Sequence, residues 1–124
     1  MNYLAIDYGT KNIGLAVSTL GIITPISGIK NDKNTINNIQ KIIFDYKINS
    51  IYVGISEGQF AITTKAFIEK LRSVLQLNIE TVEEAVSTIE AQEIYIKNKN
   101  KKKDYKKLID SVAAAVILRR VVGY

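Results

Sequence analysis

The sequence predicts an α/β fold: a mixed five-stranded sheet flanked by helices, in the order β-β-β-α-β-α-β-α-α. Three features carry that prediction. The chain opens on short apolar runs punctuated by glycine. Its middle alternates helical periodicity with further apolar runs. It closes on a long apolar segment rich in alanine. A strand meander followed by alternating helices and strands implies a mixed sheet with both faces covered.

The elements follow in order. Tyr3 to Asp7 is the first apolar run and ends at Tyr8-Gly9; Ile13 to Ser18 and Ile22 to Ile29 are the next two. Gly9, Gly14, Gly21 and Gly28 break these stretches, and Thr10-Lys11-Asn12 forms the first turn. Gly9 and Gly14 serve backbone geometry. Pro25 lacks an N–H, so the third strand belongs at a sheet edge or carries a bulge. Ile36, Ile39, Ile43 and Tyr46 recur at helical spacing, with Asn34 or Asp32 as the cap. Ser50 to Ile55 reads as a buried strand. Phe60, Thr64, Phe67, Leu71, Val74 and Leu75 mark a second helix, and Asn78 to Val82 a short strand. Ser87 followed by Glu90 fits a capping box, which predicts a helix running through Ala91, Ile94 and Tyr95. The last helix covers Tyr105 to Val122. No linker or repeat interrupts the pattern, so one domain is expected over residues 1–124.

Composition narrows the chemistry. The chain has no cysteine and no histidine. Disulfides, thiolate nucleophiles, Cys/His zinc sites and a histidine general base are therefore excluded. Carboxylate, lysine, hydroxyl and backbone groups remain, and such donors suit hard cations such as Mg²⁺ or Mn²⁺. No run approaches the roughly 18 apolar residues of a membrane span. The opening MNYLAIDYG lacks the basic region and cleavage site of a signal peptide, so a cytoplasmic protein is expected. The formal charge is +5, yet seven lysines (Lys97, Lys99, Lys101, Lys102, Lys103, Lys106 and Lys107) fall in one segment opposed only by Asp104. The basicity is thus one local patch on a nearly neutral body. Such a patch is either a solvated loop or a surface for a polyanion.

Three acidic positions stand out against their surroundings. Asp7 ends an apolar strand, where a carboxylate is costly unless paired or metal-bound; a turn-capping role is the plainer alternative. Glu83 and Glu84 follow a short strand, where α/β proteins gather ligands, although for either one alone a solvated acidic loop is the better reading. Asp110 lies in LIDSVAAAVIL, otherwise apolar or small, on a helix whose Ala113-Ala114-Ala115 run permits close packing on a sheet. Clustered, such acids would repel one another unless a cation neutralised them. Two divalent ions in that position would activate water and stabilise the leaving oxygen of a phosphodiester.

The residues also carry a family resemblance. The segment Ile6-Asp7-Tyr8-Gly9-Thr10-Lys11-Asn12-Ile13-Gly14-Leu15-Ala16-Val17-Ser18 resembles the opening of the YqgF/RuvX family of Holliday junction resolvases and pre-ribosomal-RNA nucleases. Val53-Gly54-Ile55 is similar to its central strand. Glu83-Glu84 with Ser87-Thr88-Ile89-Glu90-Ala91 resembles its acidic strand end and helix start, and Lys103 to Leu118 its final helix. The resemblance implies a ribonuclease-H-like fold and a metal-dependent nuclease site using Mg²⁺ or Mn²⁺. It places the catalytic and metal-binding acids on Asp7, Glu84 and Asp110, choosing Glu84 over Glu83. Lys11 and the lysines of the 97–107 patch are the expected nucleic-acid contacts, although Lys11 also reads as an exposed turn lysine. Three departures stand out. Ala85 replaces an arginine, the loop after the central strand is shortened to Ser56-Glu57-Gly58-Gln59, and Asn12 replaces a commonly basic residue.

The expected activity is maturation of the 5′ end of precursor 16S rRNA. The alternatives are resolution of branched DNA and nucleic-acid binding with little catalysis. The expected partner is structured precursor rRNA or branched DNA, not a membrane, and the expected state a monomer or weak homodimer. Asp7-Tyr8-Gly9-Thr10 also resembles the phosphate turn of actin-like ATPases and sugar kinases, but the chain has no room for their second lobe.

Overall fold

The structure, a computed structural model, describes residues 1–55, 59–83 and 105–122, without the side chains of 59–61, 83 and 105–110. The described elements are β1 (Tyr3–Asp7), β2 (Asn12–Thr19), β3 (Ile22–Lys30), α1 (Thr35–Tyr46), β4 (Ser50–Ile55), α2 (Gln59–Val74), β5 (Asn78–Glu83) and α3 (Tyr105–Val122). The sheet order is β3-β2-β1-β4-β5. β1 runs antiparallel to β2 and parallel to β4, and β4 runs parallel to β5. The sheet is therefore mixed, with β1 at its centre. The expected helix at Ser87 lies outside the described residues.

Strand alternation sorts the core into two layers. Leu4 and Ile6 of β1 face α1 and α2, in a cluster with Ile13, Leu15, Ile39, Ile51, Val53, Phe67, Ile68 and Leu71. Ala5, between them, faces α3, in a second cluster with Ala16, Val112, Ala114, Ala115, Val116, Ile117 and Leu118. The small side chains explain the pairing. Ala114 and Ala115 are fully buried against a sheet face that presents Ala5 and Ala16, so α3 lies close across β1, β2 and β3. The larger Leu, Ile and Phe side chains fill the other layer, each contributing about 1.5–3 kcal/mol by leaving water.

Pro25 sits in β3, the edge strand, where its missing N–H costs no central ladder bond. The bulge lies further along: Ile13 pairs with Ile29 but Leu15 pairs with Ile26, leaving an extra residue on β3 around Ser27-Gly28. One local expectation, the helix cap, needs correction. Asn34 stands at the α1 N-cap but has helical φ −95° and ψ 0° and makes no side-chain cap bond. Asp32 holds the turn before it, accepting the Asn34 N–H at 2.8 Å, while Thr35 Oγ1 accepts the Asp32 N–H at 2.9 Å. Tyr46 and Val74, which share the helical spacing, are exposed at their helices' last turns, and Ile68 is a buried residue of α2 outside that spacing.

Candidate active site

Asp7 is the last residue of the central strand. Alternation places it on the face of Ala5, towards α3. Across the sheet its row reads Gly14 on β2, Asp7 on β1, Gly54 on β4 and Val82 on β5. Two glycines flank the half-buried aspartate, so neither neighbouring strand raises a side chain beside it. Val82 packs with the α3 cluster, which fixes the parity of β5 at this edge. Glu83 ends β5 opposite Ile55, and Glu84 lies outside the described residues.

The loop after Asp7 is tightly tied. A Cβ on Gly9 would overlap the Asn12 carbonyl, so glycine is required there by close approach of backbone. Asn31 Nδ2 donates to the Gly9 carbonyl at 2.8 Å, and the Asn31 N–H donates to the Lys11 carbonyl at 2.9 Å. These bonds join the β1–β2 turn to the β3–α1 turn. Lys11 itself is exposed on the first of them.

Asp110 lies on α3, and its neighbour Ser111 shows where that part of the helix rests. The Leu15 N–H donates to Ser111 Oγ at 3.0 Å, and Ser111 is fully buried. Leu15 directly follows Gly14, the residue opposite Asp7. A Cβ on Gly28 would come within 2.8 Å of the Ile13 carbonyl oxygen and 3.7 Å of Ser111 Oγ. The bulge and its glycine thus make the space into which the start of α3 settles. Sequence reasoning missed Ser111, because a hydroxyl serving a strand 96 residues away leaves no local pattern.

Of the expected site, the structure therefore places Asp7 at the strand end and the backbone of Asp110 beside the strand opposite it. Lys97, Lys99, Lys101, Lys102 and Lys103 lie outside the described residues, as do Ala85 and the loop residues 56–58. Lys106 and Lys107 fall in the first turn of α3, with side chains that are not described. Tyr52, also on the α3 face, is held protonated above its ordinary value near 10 by burial and then by Glu80 and Tyr3. It pairs with Ala5, two residues short of the Asp7 row, and is no candidate base.

A mixed sheet with helices on both faces and an acid at the tip of its central strand is the ribonuclease-H-like architecture of resolvase nucleases. The fold matches the fowlpox virus Holliday junction resolvase bound to Holliday junction DNA with TM-score 0.60, 16% identity, and 98% and 99% of the two chains covered. It matches Thermus thermophilus RuvC in complex with a Holliday junction substrate with TM-score 0.60, 9% identity, and 99% and 96% covered. The chain belongs to the RuvX family, described as Holliday junction resolvases, which it matches over residues 1–123. Relatives provisionally named pre-16S rRNA nucleases include one from Dictyoglomus turgidum, 32% identical over 97% of this chain and 92% of its own. Another, from Sulfurihydrogenibium sp., is 36% identical over 94% of this chain and 86% of its own. A third, from Buchnera aphidicola, is 35% identical over 95% and 93%.

Proposed function

We propose that this chain is a single-domain, divalent-metal-dependent endonuclease that cleaves structured RNA in the 5′-end maturation of precursor 16S rRNA. Asp7, Glu84 and Asp110 hold Mg²⁺ or Mn²⁺ in this reading. The observation that carries it is the convergence at one sheet edge: Asp7 faces α3, and the residue after Asp110 is hydrogen-bonded one step from the strand position opposite Asp7. Glu84 is taken over Glu83 on the family pattern alone. The donor set fits the ion. A chain without histidine or cysteine offers oxygen ligands only, and these suit Mg²⁺ and Mn²⁺.

When bound, the metal would supply an activated water and charge stabilisation for an in-line displacement. The protein's own part is to hold the carboxylates in place and to seat the strand. Glycines beside Asp7 leave room for a sugar-phosphate backbone to reach it. Lys11 and the lysine patch from Lys97 to Lys107 would neutralise flanking phosphates and make binding steeply salt-dependent. The relatives' names favour precursor rRNA as the substrate.

The test is cleavage of a precursor rRNA by the purified chain with Mg²⁺ or Mn²⁺. Activity lost in Asp7→Asn and in Asp110→Asn, with folding intact by circular dichroism, is the expected result; cleavage that survives either substitution contradicts the assignment. A second reading, resolution of four-way DNA junctions, draws on the family description and on the two junction-bound neighbours. Competition between folded RNA and a four-way junction for the same protein decides between them.

A further inference from the structure

A pocket of about 250 Å³ opens on the other face of the same sheet edge. Tyr8, the residue after Asp7, turns to the α1/α2 side and stacks on Phe67 of α2, with ring centroids 4.2 Å apart and planes 23° from parallel. The two rings form one wall. Thr63, Ala66, Phe67 and Lys70 line it from a single stripe of α2, at the spacing that puts side chains on one helix face. Asn31, Lys33, Thr35 and Ile36 close the opposite side. Asp32 also borders the pocket, but its Oδ1 already accepts the Asn34 N–H. Lys33 and Lys70 are both exposed at the mouth and leave its lining net cationic.

This combination suits one kind of unit: a flat ring to lie against an aromatic wall, an anion to meet two lysines, and a polar edge to meet the exposed Thr63, since the Thr35 hydroxyl and the Asn31 amide N–H are already bonded within the protein. We infer that the pocket receives a single unpaired nucleotide of the strand whose phosphate lies at Asp7. That ligand identity rests on the nuclease reading proposed above. The volume is below the roughly 300–1,000 Å³ of most small-molecule sites, which suits one base. Position supplies the link. Asp7 and Tyr8 are consecutive and point to opposite faces, so a strand crossing the sheet edge passes from one to the other. The site would then require a single-stranded stretch beside the bond it cuts. Base–aromatic stacking tolerates any sequence, so the requirement is for an unpaired base, not a particular one.

The experiment is fluorescence anisotropy with the full chain in EDTA, where no turnover occurs. The probes are a fluorescein-labelled blunt RNA hairpin, the same hairpin with a four-nucleotide extension on the 5′ or the 3′ side, and the extended forms with abasic sugars. An extension on one side should tighten binding about tenfold. Its abasic counterpart, which keeps the phosphates but has no base to stack, should gain clearly less. Lys33→Ala/Lys70→Ala should reduce that gain, whereas the charge-matched Lys41→Ala/Lys65→Ala should keep it. The inference is overturned by extensions on either side that add nothing, by an abasic extension that tightens equally, or by a control pair that reduces the gain as much. A separate Mn²⁺ cleavage assay keeps the two questions apart. Cleavage without an extension effect removes the pocket alone, and an extension effect without cleavage removes the nuclease reading alone.

Discussion

At the scale of single residues, two buried serines on the α3 face show how differently a hydroxyl can act. Ser111 accepts the Leu15 N–H, whereas Ser18 Oγ, equally buried on β2, has no hydrogen-bond partner among the described residues. An unpaired buried hydroxyl is a liability. Ser18→Ala should therefore raise stability by about 1 kcal/mol in urea denaturation, and a loss would mean that Ser18 has a partner. Leu20 is a second liability. With Gly21 it forms the tight β2–β3 turn at φ 53° and 78°, and it is 95% exposed. Both positive angles match the two-residue turn that favours Asn-Gly. Leu20→Asn should stabilise by roughly 0.5–1 kcal/mol, because asparagine tolerates this backbone and removes an exposed apolar side chain. A destabilised L20N would contradict that account of the turn.

At the scale of elements, the bulge in β3 and the start of α3 form one device. The extra residue near Gly28 opens the sheet edge, Gly28 keeps it open, and Ser111 enters and takes a strand N–H. This anchors α3 at the turn that bears Asp110, one residue along the chain. Ser111→Ala leaves the Leu15 N–H buried and unpaired, which should cost about 1–3 kcal/mol. It should also speed hydrogen exchange at Leu15 relative to its β2 neighbours. Unchanged stability together with unchanged exchange would show that the contact anchors nothing. The strands and the last helix were legible in the sequence because their apolar runs and glycine breaks are local signals; α3 spans the expected Tyr105 to Val122. The bulge position was not, because Pro25 marked the edge strand correctly but said nothing of Ser27-Gly28. The helical period alone did not mark burial at the helix ends: Tyr46 and Val74 keep the period, yet both are exposed.

At the scale of the whole molecule, both sheet faces converge on one edge. The α3 face carries Asp7 and the anchored start of α3; the α1/α2 face carries Tyr8, Phe67 and the pocket. The acids were readable in the sequence because carboxylates among apolar neighbours are conspicuous singly. That they belong to one site was implied only by the family resemblance, and the pocket was not legible at all, since it is assembled from turns and helices with no common period. Belonging to the RuvX family places these features in a nuclease fold, and in the proposed reading the basic 97–107 segment would supply the charge for a polyanionic partner.

The central claim is that Asp7, Glu84 and Asp110 share divalent cations, and Mn²⁺ binding followed by electron paramagnetic resonance tests it most directly. Asp7→Asn, Glu84→Gln and Asp110→Asn should each weaken Mn²⁺ binding by at least the roughly 10–100-fold that losing even an outer partner of a metal site costs. The Asp7→Asn/Asp110→Asn double variant should lose less than the sum of the two. Three single variants that bind Mn²⁺ as tightly as the unaltered chain would contradict the shared site.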